Sequence, residues 1–173
     1  MTLSFTTKWP AKMGDLAGQS NNFVQKIWNG LISDLGDELD NVLYQERHRN
    51  KFGDYWQPEA DLPPKLHTIR KDPHNRWKPG MKIHPVINNR SKDRFQFAPT
   101  VICTDVQHVN FGTKHDAIVV TNFDGSFSNV IQGDDLDTFA KTDGFPDADA
   151  ILRWFYEDRG MKLSLIHWTD LRY

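Results

Sequence analysis

Lys65-Leu66-His67-Thr68-Ile69-Arg70, followed by Arg76-Trp77-Lys78-Pro79-Gly80-Met81-Lys82-Ile83, marks the point where the sequence changes character. Before it lies mainly helical periodicity. A short alternating start at Leu3 to Thr7 suits a strand, and from Ser20, a helix cap, the apolar residues Phe23, Val24, Ile27, Trp28 and Leu31 recur at helical spacing until Gly36. A second amphipathic segment covers Glu38 to Arg47, and Asn50 to Pro64 is rich in breakers. After the block, Met81 to Ile87, Phe95 to Val109, His115 to Asn122 and Phe127 to Gln132 have strand composition, with turn formers at Asn88-Asn89, Gly112 and Phe123-Asp124-Gly125-Ser126. Asp134 to Ala140 and Asp147 to Tyr156 return to helix, with Asp147 as cap and Ala150, Ile151, Trp154 and Phe155 as the buried stripe, and Leu163 to Thr169 reads as a closing strand. The pattern predicts a single α+β domain over residues 1–173, a small, partly closed barrel with helices before it and near the end, and a long, irregular insertion over Asn50 to Pro64.

Composition narrows the function. At 173 residues the chain can bury one core, and the absence of a long apolar run or an apolar leader leads us to expect a soluble, cytoplasmic protein with no membrane partner. The single cysteine, Cys103, excludes internal disulfides and thiolate clusters and reads as a small buried residue. Net charge is -2, but between Tyr44 and Arg94 there are 12 Lys or Arg against 6 Asp or Glu. That stretch also holds His48, His67, His74 and His84 with Tyr44, Phe52, Tyr55, Trp56 and Trp77. Cations for phosphates interleaved with rings for base stacking suit a nucleotide or a single-stranded nucleic acid.

The opening block carries chemistry of its own. If residues 67–70 are extended, His67 and Ile69 point one way while Thr68 and Arg70 share the other face and line a cleft. Arg70 offers a planar charged fork for a phosphate or base edge, and the Thr68 hydroxyl can attack once a base removes its proton. Lys65 is near enough in sequence to be that base, provided burial or a like charge such as Arg70 lowers its pKa.

Lys65-Leu66-His67-Thr68-Ile69-Arg70 with Pro79-Gly80-Met81-Lys82-Ile83 resembles the K-x-x-T-I-R and P-G-D-x-(apolar) signature of ASCH domains in the PUA-like superfamily. Phe139-Ala140-Lys141-Thr142-Asp143-Gly144-Phe145 with Trp154-Phe155 is similar to that family's A-x-x-(E/D)-G-(F) segment and following helix, and Ile166-His167-Trp168 resembles its last strand. The stretch 36–64 departs from compact members, and the style of residues 76–92 looks like ASCH-like proteins of bacteriophages. The resemblance implies a PUA-like barrel and a basic cleft binding RNA or a modified nucleoside, with Lys65, Thr68, Arg70, His67 and Lys82 on one side, Asp143 opposite, and Trp77 or Trp56 for stacking. One branch of the family hydrolyses N4-acetylcytidine through a Lys, a Thr and an acid, which fall here on Lys65, Thr68 and Asp143. Asp in place of Glu shortens that reach by one methylene.

The same residues suit other chemistries. A metal-independent ribonuclease would use His67 or His84 for proton transfer, with Lys65 and Arg70 on the phosphate. Asp134, Asp135, Asp137, Asp143, Asp147 and Asp149 lack the spacing of a calcium loop, and Asp134 and Asp147 suit helix starts. His67, Asp72, His74 and His84 lack zinc-site spacing, so no metal or cofactor is expected. His167 reads as a hydrogen-bonded core residue. The 36–64 insertion leaves room for a host protein as partner if the chain is phage-encoded.

Overall fold

The computed structural model describes residues 1–35, 38–56, 61–112 and 117–173. Strand β1 (Thr2–Phe5) leads through a short 3-10 turn at Ala11–Leu16 to helices α1 (Phe23–Leu35) and α2 (Glu38–Phe52). Seven strands follow: β2 (His67–Arg70), β3 (Lys82–Ile87), β4 (Phe95–Gln96), β5 (Val101–Ile102), β6 (Asp105–Phe111), β7 (Ala117–Asn122) and β8 (Ser128–Gln132). Helices α3 (Asp134–Thr142) and α4 (Ala148–Trp154), a 3-10 turn at Tyr156–Asp158 and strand β9 (Leu163–His167) complete the chain. The fold is mixed α+β, and among the described residues no helix is long and apolar enough to cross a membrane.

The strands form two sheets. One has order β1-β3-β4, with β1 parallel to β3 and β5 on the other half of β3; the second has order β2-β9-β6-β7-β8 and is antiparallel throughout. Among the described residues these sheets do not close into a barrel, where the sequence pattern predicts partial closure. The expected strand over Phe95 to Val109 is broken into three pieces. Pro99, which has no N–H for a ladder, stands between β4 and β5, and the Cys103 N–H turns back to the Met81 carbonyl at 2.8 Å before β6 begins.

Local rules explain most helices. The stripe Phe23, Val24, Ile27, Trp28 and Leu31 is buried, and the Phe23 N–H is held by Asn21 Oδ1 at 3.1 Å, while Ser20 Oγ accepts from the Asn22 N–H at 3.3 Å. Asp147 caps α4 by accepting from the Ala150 N–H at 2.8 Å. Helix α2 runs beyond the expected Arg47, because Tyr44 packs on Trp28 with centroids at 5.8 Å and Phe52 on Phe95 at the same distance. The insertion is thus fastened to the core by aromatic contacts, with the Asn29 amide donating to the Leu62 carbonyl at 2.9 Å. Gly36, residues 57–60 of the insertion and the 115–116 end of the expected fourth strand lie outside the described residues.

Candidate functional site

The segment before β2 is clamped between two helices. The Lys65 N–H donates to the Lys26 carbonyl of α1 at 2.9 Å, and the Leu66 N–H donates to the Thr142 carbonyl at the end of α3 at 2.8 Å. This turns the Lys65 side chain inward over the Phe23 ring, with Nζ 5.1 Å from its centroid. Nζ then donates to Asp143 Oδ1 at 2.8 Å and also to the Asp143 carbonyl, with both side chains only 2% exposed. Asp143 ends α3, and Gly144 beside it has φ +89°, a conformation that lets the chain turn away and offer its carbonyl to Lys26 Nζ at 2.7 Å.

Behind the pair lies a second layer. His67 Nδ1 stands 3.3 Å from Asp143 Oδ1, poorly aligned for a hydrogen bond, while its Nε2 meets the Tyr173 hydroxyl at 2.7 Å and Thr142 Oγ1 at 3.2 Å. Tyr173 and Thr142 share a further hydrogen bond of 2.7 Å. Burial is the largest influence on Lys65 and lowers its pKa to about 8, although the Asp143 charge pulls the other way. Burial alone would raise the Asp143 pKa, yet Lys65 and the contacts of His67 together hold it below the usual carboxylate value. His67 is pushed down by burial and stays neutral, and burial raises the Tyr173 phenol. The pair is therefore charged at neutral pH, with a base form of Lys65 within easy reach.

Pairings on β2 put Thr68 opposite Ile166 and Arg70 opposite Ser164, so these two side chains share a face. Both line a cavity of about 50 Å³ with Lys65, Asp143, Ser4 and Thr6. Among the described residues no hydrogen bond engages the Thr68 hydroxyl. Arg70 is held in place by donating to the Ser4 carbonyl at 2.9 Å and by lying over the Phe5 ring at 5.0 Å, and burial lowers its pKa. Trp9, Phe23, Phe145 and Trp154 pack against one another behind the cavity with centroids 5.3–6.4 Å apart, edge to face except for the tilted Trp9–Phe145 pair, which gives it a rigid apolar wall.

The structure gathers Lys65, Thr68, Arg70 and Asp143, and separates the other residues expected there. His67 is fully buried and supports Asp143 from behind, so it does not face a nucleic acid. Trp77 is not open for stacking: it is 4% exposed, and its backbone N–H donates to Asp72 Oδ2 at 2.9 Å. Lys82 is exposed on β3 opposite Ile102, away from the cavity, and His84 on the same strand meets Thr100 Oγ1 at 3.1 Å. Trp56 is buried and lines a neighbouring cavity of about 170 Å³ with His48, Tyr55 and Phe23. That cavity is the insertion's contribution; among the described residues, none of 36–64 lines the Lys65 cavity.

His167 is fully buried, but neither ring nitrogen has a hydrogen-bond partner among the described residues, so it is not the bonded core residue expected; the rings of His67 and Tyr173 pack beside it with centroids at 5.4 and 6.2 Å without bonding to it, and burial lowers its pKa to about 2. Cys103 is buried with its thiol pushed up to about 11 by burial. Asp134, Asp135 and Asp137 occupy the first turn of α3, where the helix dipole favours them. Among the described residues, no three His, Cys, Asp or Glu side chains group closely enough to hold a metal ion. Sequence reasoning missed Lys26, Thr142 and Tyr173, whose roles depend on long-range contacts that no local pattern announces. No family model, curated protein or solved structure matches this chain.

Proposed function

We propose that the chain is an ASCH-type, PUA-like protein that binds a modified nucleoside, free or within RNA, and hydrolyses an acyl amide on its base without a metal, with N4-acetylcytidine as the substrate that the resemblance implies. The observation that carries this reading is the fully buried Lys65–Asp143 pair opening on the same cavity as the Thr68 hydroxyl. A buried ion pair contributes little net stability, so its place in a cavity beside a nucleophile is a functional signal.

Cavity size sets what enters. About 50 Å³ accommodates a few waters or an acyl group, whereas a whole nucleoside needs several times more, roughly 300 Å³ or above. The acyl group goes in and the base stays at the mouth. At pH 7 about a tenth of a Lys with pKa near 8 is neutral. Neutral Lys65 takes the Thr68 proton, Thr68 Oγ attacks the acyl carbon, and Arg70 stabilises the oxyanion. The C–N bond breaks as the Lys65 ammonium returns its proton to the leaving nitrogen. Water, deprotonated by Lys65, then cleaves the acyl-Thr68 ester and releases the carboxylic acid and Thr68. Asp143 holds Lys65 in place and balances its charge in the protonated steps.

Hydrolysis of N4-acetylcytidine, followed by chromatography for wild type, Lys65→Ala, Thr68→Val and Thr68→Ser, tests the reading. Turnover in wild type and in Thr68→Ser, with losses of about a hundredfold or more in the other two, is expected. An inactive wild type, or a fully active Lys65→Ala, overturns it; RNA binding that weakens on Arg70→Ala would then make the cleft a recognition site alone.

A further inference from the structure

The ladders of the five-stranded sheet place Arg70, Ser164, His108, Thr121 and Ser128 directly opposite one another, strand after strand. Residues in such a row share one face. The row therefore runs from the candidate site across β9 to His108, about 10 Å away at two strand spacings. There another, shallower cavity of about 420 Å³ opens between β6, the β7–β8 turn and Lys162.

The groups around it have a definite character. Phe123 is 45% exposed at the turn, and one face of its ring stacks on His108 with centroids 5.0 Å apart and planes at 30°. His108 is 6% exposed, with Nδ1 free of any hydrogen-bond partner among the described residues. Burial lowers its pKa, helped by the Lys162 charge, so at neutral pH it is an uncharged plate that fixes Phe123 in orientation. Asn110 lies two residues further along β6 on the same face, and its amide makes no hydrogen bond among the described residues. Asp124, the acidic group on the rim, directs its carboxylate to the Ser126 N–H at 2.8 Å.

We propose that this cavity is a nucleobase-stacking subsite for a single RNA strand, with a base on the open face of Phe123, the Asn110 amide on the base edge and the Lys162 ammonium on a flanking phosphate. The inference rests on the cleft being a nucleoside site and deepens it: the substrate is a residue within a strand, whose neighbour is held at Phe123, beyond His108 and about 10 Å or more across the sheet. A planar ring backed by a neutral ring, beside an amide and a cation, is the sequence-tolerant chemistry of single-strand binding. A free nucleoside engages the Lys65 cleft alone.

The test is an amide-resolved NMR titration with an eight-nucleotide single-stranded RNA, alongside anisotropy measurements on wild type, Phe123→Ala and Phe123→Trp. Shifts at Asn110, Phe123 and Lys162, about tenfold weaker binding for Phe123→Ala and wild-type or tighter binding for Phe123→Trp support the subsite. Shifts confined to residues 65–70 and 143–145 overturn it and leave the cleft reading intact. An absence of shifts anywhere also overturns it, and turnover of the free nucleoside then decides the cleft reading separately.

Discussion

Lys65 Nζ and Asp143 Oδ1 meet at 2.8 Å in a place where both side chains are 2% exposed. Taking either charge away strands the other in a medium that solvates it poorly. Lys65→Met and Asp143→Leu should each destabilise the protein by about 3–5 kcal/mol, and the double replacement should cost much less than the sum. Urea unfolding of the four proteins measures the coupling; additive losses would mean that water reaches the pair.

The same pair sets a pH dependence. Lys65 must be neutral to act as a base, so activity should rise with pH, pass its half-maximum near 8, the value to which burial lowers the Lys65 pKa, and level off about a unit above. Asp143 pulls that pKa upward. Asp143→Asn should therefore move the rising limb to lower pH while reducing the maximal rate, and a pH–rate profile unmoved by this change would remove Lys65 from the base role.

His167 offers a test of stability rather than catalysis. Its folded pKa near 2 lies far below the ordinary 6.5, so between these values the unfolded chain binds a proton that the folded chain does not. Stability from this source is complete above about pH 6.5 and falls as pH drops, by up to about 1.4 kcal/mol per unit; the lowered pKa of His67 acts in the same direction. His167→Leu removes an unpartnered buried polar group, so at pH 7.5 it should be neutral or stabilise by about 1 kcal/mol, and it should flatten the decline between pH 6 and pH 4. Urea midpoints across that range decide it.

Gly144 has φ +89°, and a Cβ there would stand 3.0 Å from both Lys65 Cδ and Phe23 Cε1. Gly144→Ala should cost at least about 2 kcal/mol and displace Lys65. Gly80, with φ +84° and open space around it, is the control: Gly80→Ala should cost about 1 kcal/mol and leave activity unchanged. Equal effects of the two would show that the backbone, and not the crowding at Lys65, is decisive.

What the sequence reveals and hides follows from the range of the forces involved. Helix α1 is legible because its five apolar positions are set by local periodicity, and α4 because Asp147 marks its start. The alternation across residues 67–70 correctly separates Thr68 and Arg70 from His67 and Ile69. The parallel pairing of β1 with β3 is not legible, since it joins Thr2 to His84 with no turn between them to signal it. Trp77 illustrates a different limit: a tryptophan amid basic residues reads as a stacking platform until tertiary packing buries it and Asp72 takes its backbone N–H. Tyr173 completes the layer behind Asp143 from a stretch with no motif at all.

Among the described residues, strand β2 pairs in its sheet with β9 alone, with His67 opposite His167. During synthesis β2 emerges more than ninety residues before β9, the strand with which it pairs among the described residues. The cleft consequently cannot be assembled before β9 has been made, and a ribosome-bound or truncated chain without β9 should lack it however well its helices have formed. Activity in a refolding experiment would report completion of the fold rather than its onset.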